Sequence, residues 1–540
     1  MAWKSKVKFY IIIFLILVTF LLRIPILFVR YFDPDEFQHL HAAFSLYHGL
    51  IPYRDFFEHH TPFIWFLLIP LYPIFGADIP LIYAARILML LFTAGIMYMT
   101  YLLGKRFYNS DVGLLATLFL SYMIMFLEQT IEIRPDVPET FFWLLSLLFI
   151  TRGITEKVNK WYVLSGLTIG ISILFSQKAL FALIGLVAIF IWMFIENRFD
   201  RRQDKPRNQI IKEFLLFISG LAIPIFLICC IFLVYGSLTE FINLNLIINL
   251  RWKVRFSPFV FLIPSFKQNT FFWTLGTMGL FLATSDLRNG IERLKGSFIP
   301  LFSIYALLVG LFLIPVPYKE YYVMVLPLLA IYCAYTLKTI TSFPISEKAI
   351  SKWDLIKSII SVLAFIIALC YMLLFTQPSL LNSKITYRIL WGILTISIIL
   401  ILLSGKRDVA MLIASMGIII FPLQQIYHQT ERSNSGQLEN IKFIMDNTTP
   451  EDTVLDGWSG FGVFRPHAYY YHFLHGEARA MLSNDDLADN LINTLKEKRT
   501  KVIIYDSSVK ALPQPVQDYI TQNYVYSGHG NIYLLKQIHQ

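Results

Sequence analysis

Apolar residues run in long unbroken blocks along this chain, separated by short polar loops, and the pattern turns mixed only near residue 427. A block of ~17–25 apolar residues is the length that crosses a bilayer as a helix. About thirteen such spans are expected, at 9–28, 80–103, 111–127, 137–151, 161–176, 179–195, 213–235, 271–284, 298–315, 321–338, 355–376, 388–404 and 408–426. Lys4, Lys6 and Lys8 precede the first, so the positive-inside rule places the N-terminus in the cytoplasm. No small-residue cleavage site follows that first apolar run, which therefore reads as a retained helix rather than a signal peptide. An odd number of spans sends the C-terminus to the opposite side.

The polar tail has a different period. Thr453-Val454-Leu455 and Lys501-Val502-Ile503-Ile504-Tyr505 read as strands, while 438–445 and 487–495 carry helical spacing. The expected organisation is a transmembrane unit over 1–427 and a small extracytoplasmic α/β domain over 428–540, large enough to fold alone. The fold class is thus a polytopic α-helical membrane protein with a C-terminal α/β domain. Two outer loops, 29–79 and 236–270, are too long to be simple connectors, and long ordered loops usually carry function.

Composition agrees. The 540 residues are 56% hydrophobic and 15% charged, with a mean hydropathy of +0.59, outside the range of soluble globular chains. The net charge of +10 does not point to nucleic acid. Its basic residues fall in the inner loops, at Lys105-Arg106, Arg152, Lys157 and Lys160, the tract 198–207, Arg288, Arg293, Lys295 and Lys406-Arg407. That asymmetry is a topology signal. Cys229, Cys230, Cys333 and Cys370 sit inside apolar runs without metal or disulfide spacing. Walker, dinucleotide and HExxH motifs are absent from the sequence, which takes support away from nucleotide-driven transport and zinc-protease chemistry.

The first outer loop holds the densest chemistry. Asp33 suits an N-cap, Pro34 the first helical position and Glu36 the acid of a capping box. Phe37, Leu40, His41, Phe44 and Tyr47 repeat at helical spacing up to a stop at Gly49, predicting an amphipathic helix along the membrane surface. Capping accounts for Asp33 and Glu36 and leaves Asp35 without a structural task. A second short amphipathic element is expected over 51–63, bringing Glu58, His59 and His60 to the same surface. Adjacent histidines beside an acid allow a metal, although neighbouring side chains diverge on most backbones.

The runs Pro34-Asp35-Glu36, Gly49-Leu50-Ile51-Pro52-Tyr53 and Phe57-Glu58-His59-His60-Thr61-Pro62 resemble the first external loop of GT-C membrane glycosyltransferases. The chain is similar in particular to protein O-mannosyltransferases and to the aminoarabinose transferases of lipid A. The resemblance implies an inverting glycosyltransferase in the cell membrane, taking a sugar from a polyprenyl-phosphate carrier to an acceptor glycolipid, glycan or protein on the outer side. It implies no required cofactor, with a divalent cation at His59 and His60 as the open option. It also assigns the base to Asp35, a donor- or acceptor-binding role to Asp136 with Arg134 beside it, and a looser substrate-binding role to Glu58, with Glu36 adjoining Asp35. A departing lipid phosphate needs cations. The outer-side candidates are Lys178, the trio Arg251, Lys253 and Arg255, and Lys319. A lipid or sugar flippase remains the alternative class, and a receptor acting through its outer domain a third.

Overall fold

The computed structural model describes residues 2–199, 206–250, 255–286, 298–341 and 431–536, with six further helical residues between 356 and 365. The expected spans at 355–376, 388–404 and 408–426 lie essentially outside the described residues.

The first apolar block folds as two helices, α1 (Ala2–Leu21) and α2 (Arg23–Val29), followed by α3 (Pro34–Tyr47). Short helices α4 (Phe63–Leu68) and α5 (Tyr72–Phe75) complete the first loop before α6 (Ile79–Phe107). Next come α7 (Ser110–Ser121), α8 (Ile124–Ile131), α9 (Asp136–Glu156), α10 (Lys160–Phe175), α11 (Ala179–Phe199) and α12 (Arg207–Val234). The second long loop carries α13 (Leu238–Ile242), α14 (Ile248–Leu250) and α15 (Phe259–Gln268), ahead of α16 (Thr270–Asp286), α17 (Phe298–Leu313) and α18 (Leu326–Thr341).

Three expectations are corrected. The span at 111–127 is a bent pair, α7 and α8, meeting at 69°. The break sets Met123 in an extended conformation and hands the Ile124 N–H to Asn269 Oδ1 at 2.9 Å. Residues 51–62 form turns instead of an amphipathic element, because Tyr53 takes φ +70° and prolines stand at both ends. Finally, α3 does not lie exposed on a surface: Glu36 through Ser45 are all buried. Among the described residues four helices are long and apolar enough to cross a membrane, or five with the bent pair counted as one span.

Small residues let the bundle close. A Cβ at Gly166 would stand 1.9 Å from the Phe217 carbonyl oxygen, and one at Gly220 2.1 Å from that of Val163. Glycine at both positions therefore allows α10 and α12 to touch backbone to backbone, the packing expected between helices in lipid.

Residues 431–536 form a mixed sheet with strands β1 (Val454–Asp456), β2 (Val502–Ile504), β3 (Tyr524–Tyr526) and β4 (Ile532–Leu535), in the order β1-β2-β4-β3. β1 and β2 are parallel, with Val454 opposite Val502. Their crossover is the helix Asn484–Glu497. The other pairings are antiparallel. Side chains alternate as strands require. Leu455 and Ile503 face Leu487, Leu491 and Leu495, while Val454, Val502 and Ile532 face Ile444.

This unit is zipped to the first loop by main-chain bonds. Tyr31 N donates to Arg432 O at 2.8 Å and Asn434 N to Val29 O at 2.9 Å. Gln437 holds both main-chain groups of Phe32. Gly460 lies so close to Phe37 that a Cβ would come within 2.3 Å of it. Helix α3 is consequently clamped between the bundle and the sheet unit, which is why it is buried.

Candidate functional site

The N-terminus of α3 is built as its residues dictate. Asp33 Oδ1 accepts the Asp35 N–H at 3.2 Å, and Glu36 Oε1 accepts the Asp33 N–H at 2.9 Å, closing a capping box. Glu36 then goes further. Its carboxylate pairs with Arg86 Nε at 2.8 Å and Nη2 at 2.6 Å, and accepts the Ile133 N–H at 3.1 Å. Arg86 spends its remaining donors on the carbonyls of Leu27, Arg30 and Tyr31. Both side chains are fully buried. Glu36, expected at the substrate, has no oxygen left to offer one and acts as the keystone joining α2, α3, α6 and the 132–135 loop.

Arg134 is the centre of the open part of the site. Its Nε meets Glu132 at 2.6 Å, its Nη2 meets Asp33 at 2.9 Å, and its Nη1 is hydrogen-bonded to Asp35 with Glu320 at 3.6 Å. Glu132 is tied in turn to Arg30 at 2.7 Å. Asp33 is therefore more than a cap: it shares the guanidinium. Burial pushes its carboxyl up to about 6, with Arg134 pulling down and Asp35 pushing up. Asp35 ends on the other side of the balance. Burial opposes its charge, but Arg134, helped by His39 and His60, outweighs that and holds it below the usual carboxylate range. Asp35 keeps 27% of its side chain exposed, against 5% for Arg134 and 1% for Glu132. It is the carboxylate of this network most open to a ligand.

Asp136 opens α9 with its side chain nearly buried, and Lys178 pairs with it. The Lys178 ammonium also stands 3.6 Å from the centre of the Tyr321 ring, a cation–π contact. Lys319 is half-buried and makes no hydrogen bond or ion pair among the described residues. Arg255 is exposed. Arg251 and Lys253 lie outside the described residues.

Glu58 is wholly buried. It accepts from Gln38 Nε2 at 3.0 and 3.1 Å, from the N–H groups of His59 and His60, and lies 2.7 Å from His60 Nδ1. Burial resists its charge, yet His60 leads several imidazoles in holding it well below its ordinary value. Its geometry braces the turn; no face is open to substrate. Glu58, His59 and His60 do bring one possible ligand atom each within 4.8 Å of one another.

Further residues were not singled out by the sequence. Glu320 and Tyr321 arrive from the turn Lys319–Met324, flagged only for its lysine. A column of histidines, buried at His41 and His472 and partly buried at His467, links α3 to the sheet unit: the His41 ring centre is 5.1 Å from that of His472 and 5.9 Å from that of His467. Nothing local marks His467 or His472, since their neighbours come from α3. Burial lowers His41 to about 4, against the pull of its hydrogen bond to Val463 O. A histidine held neutral in the fold stabilises fully above ~6.5 and loses that contribution as pH falls toward the depressed value. Acidifying from about pH 6.5 to 5 should cost up to ~2 kcal/mol at this residue. The melting temperature of His41→Asn should accordingly fall less on acidification than that of the wild type. Parallel melting curves at both pH values would remove this account.

The sequence of residues 59–232 matches the family model for dolichyl-phosphate-mannose-protein mannosyltransferase. No curated protein matches the sequence. Among solved structures, ArnT from Cupriavidus metallidurans bound to undecaprenyl phosphate aligns at 14% identity over 97% of each chain, with a TM-score of 0.59. The apo oligosaccharyltransferase of Archaeoglobus fulgidus aligns at 12% identity over 100% of this chain and 76% of that one, at 0.56. The same enzyme tethered to an acceptor peptide with an NVT sequon aligns at 11% identity over 99% and 75%, at 0.52. The chain has the helix-rich fold of these solved structures, and the family match begins at residue 59, at the end of the first outer loop.

Proposed function

We propose that the protein is an inverting glycosyltransferase of the cell membrane, drawing its sugar from a polyprenyl-phosphate carrier on the extracytoplasmic face. The observation that carries this reading is Asp35, ionised by Arg134 and the most open carboxylate of its network, with Lys178 and Lys319 supplying nearby positive charge. ArnT, a fold relative, binds a polyprenyl phosphate, which supports the choice of donor.

In this reading Asp35 takes the acceptor's proton while the acceptor oxygen attacks the anomeric carbon. The bond from that carbon to the phosphate oxygen breaks, and its electron pair leaves with the phosphate. Negative charge at Asp35 also favours an oxocarbenium-like transition state. Lys319, which makes no ion pair among the described residues although Glu132 and Glu128 act on its charge, is the first contact for the leaving phosphate. Lys178 follows if the phosphate draws it from Asp136. Asp136 then turns to bind donor or acceptor, while Arg134 fixes the orientation of Asp35. Arg255, exposed, attracts anionic headgroups outside the site. No step needs a cofactor, and the histidines of the 58–60 turn are the place where a divalent cation would sit.

The test is mass spectrometry of lipid-linked sugars and envelope glycans with and without the protein. An accumulated carrier-linked sugar and one missing glycan are expected. Identical profiles, with substrate movement across the bilayer lost instead, would replace this reading with the flippase.

A further inference from the structure

We propose that Glu320 is a positioning residue for Asp35: it takes over Arg134 Nη1 when Asp35 carries the acceptor's proton. This rests on the reading of Asp35 as the base. The two carboxyls flank one nitrogen unequally. Asp35 Oδ2 is hydrogen-bonded to Nη1, whereas Glu320 Oε1 stands 3.6 Å away, beyond hydrogen-bond length.

The rest of the guanidinium is committed. Nε is held by Glu132 and Nη2 by Asp33, and Glu132 is anchored on Arg30. On the other side, the turn bearing Glu320 is pinned by the Tyr322 hydroxyl donating to Pro258 O at 2.6 Å, and by Lys178 over the Tyr321 ring. Both walls are fixed, so the change has one place to occur, at Nη1. Glu320 is buried and makes no hydrogen bond among the described residues. A charged carboxylate left so would be costly. Facing it are Arg134 and Asp136 from the 132–136 segment, Asp35 from α3 and Lys178 ahead of α11. Burial, with Asp136 and Asp35 against Arg134 and Lys178, brings it to about 7.

The protons balance as follows. The acceptor's proton passes to Asp35 as the acceptor oxygen bonds to carbon and the phosphate leaves with its electron pair. Asp35 becomes neutral and loosens its hold on Nη1. Glu320 releases its own proton to water and pairs with Nη1 in its place. When Asp35 later loses its proton it regains Arg134, and Glu320 is reprotonated from water. Arg134 stays paired throughout, because one of the two carboxylates holds Nη1 at each stage of the cycle.

Infrared difference titration of the full-length protein in lipid nanodiscs tests this without any substrate. The wild type should show protonated-carboxyl absorption that fades as pH rises through about 7, where Asp456 contributes as well as Glu320, and Glu320→Gln should lose the Glu320 component, isolated as the wild-type minus variant difference. In Asp35→Asn the midpoint should fall by roughly 1–3 units, as Arg134 becomes available to Glu320. If Glu320→Gln does not fold, the comparison of Asp35→Asn with wild type decides alone. An unchanged midpoint overturns the proposal whatever Asp35→Asn does to sugar transfer. A shifted midpoint in an Asp35→Asn protein that still transfers sugar overturns the base assignment, and Glu320's role with it.

Discussion

Asp35→Asn should reduce sugar transfer by about 10²–10⁴-fold, the typical contribution of a positioned general base, while the yield of folded protein stays unchanged. Asparagine has the same shape but lacks the charge that holds Arg134 Nη1 on Asp35. It cannot take up the acceptor's proton. The fold does not depend on the lost charge: the cap of α3 is made by the Asp35 main-chain N–H on Asp33 and by Glu36 closing on Asp33. Arg134 keeps Asp33 and Glu132. The measurement pairs transfer from a carrier-linked sugar in membranes with the elution profile of the solubilised protein. Turnover near the wild-type rate would take the base assignment away from Asp35; an aggregated profile would show that Asp35 is structural.

Arg86→Leu should have the larger effect on stability and leave little folded protein. Glu36 would remain fully buried with its cation gone, and breaking such a pair typically costs ~3–5 kcal/mol. The same change strips donors from the carbonyls of Leu27, Arg30 and Tyr31, where α2 turns into α3. The double variant Arg86→Leu/Glu36→Leu should recover part of the loss by removing the stranded charge. Recovery stays partial because the Asp33 and Ile133 N–H groups lose their acceptor. Thermal unfolding of solubilised protein, read by size-exclusion profiles after heating, checks both. A single variant as stable as the wild type would mean that Glu36 is not the keystone.

Helix starts and apolar blocks were legible because they are local. Asp33, Pro34 and Glu36 act within one turn of each other, and the structure shows the capping box their spacing requires. The strands at 454–456 and 502–504 followed from short apolar runs between turns. Arg134 and Asp136 stood out as charges beside Pro135 at the start of a span. What Arg134 does was not legible, since its partners come from positions 33, 35, 132 and 320. The histidine column was hidden for the same reason: His41 and His467 meet only when the sheet unit docks on α3.

By itself, then, the sequence determined what the chain's local geometry controls. It set the apolar helices of the described bundle, four or five of them of membrane length, the capped start of α3, the strands β1 and β2, and the set of acids and bases available for chemistry. Tertiary packing decided which of those acids could be used. Asp35 and Glu36 are neighbours with the same charge, and one helical step turns the first toward the open edge and the second into the Arg86 pair. Burial and the nearest cation then separate them. No property of the two residues alone could do so, because desolvation and ion pairing depend on what long-range folding brings within a few ångströms.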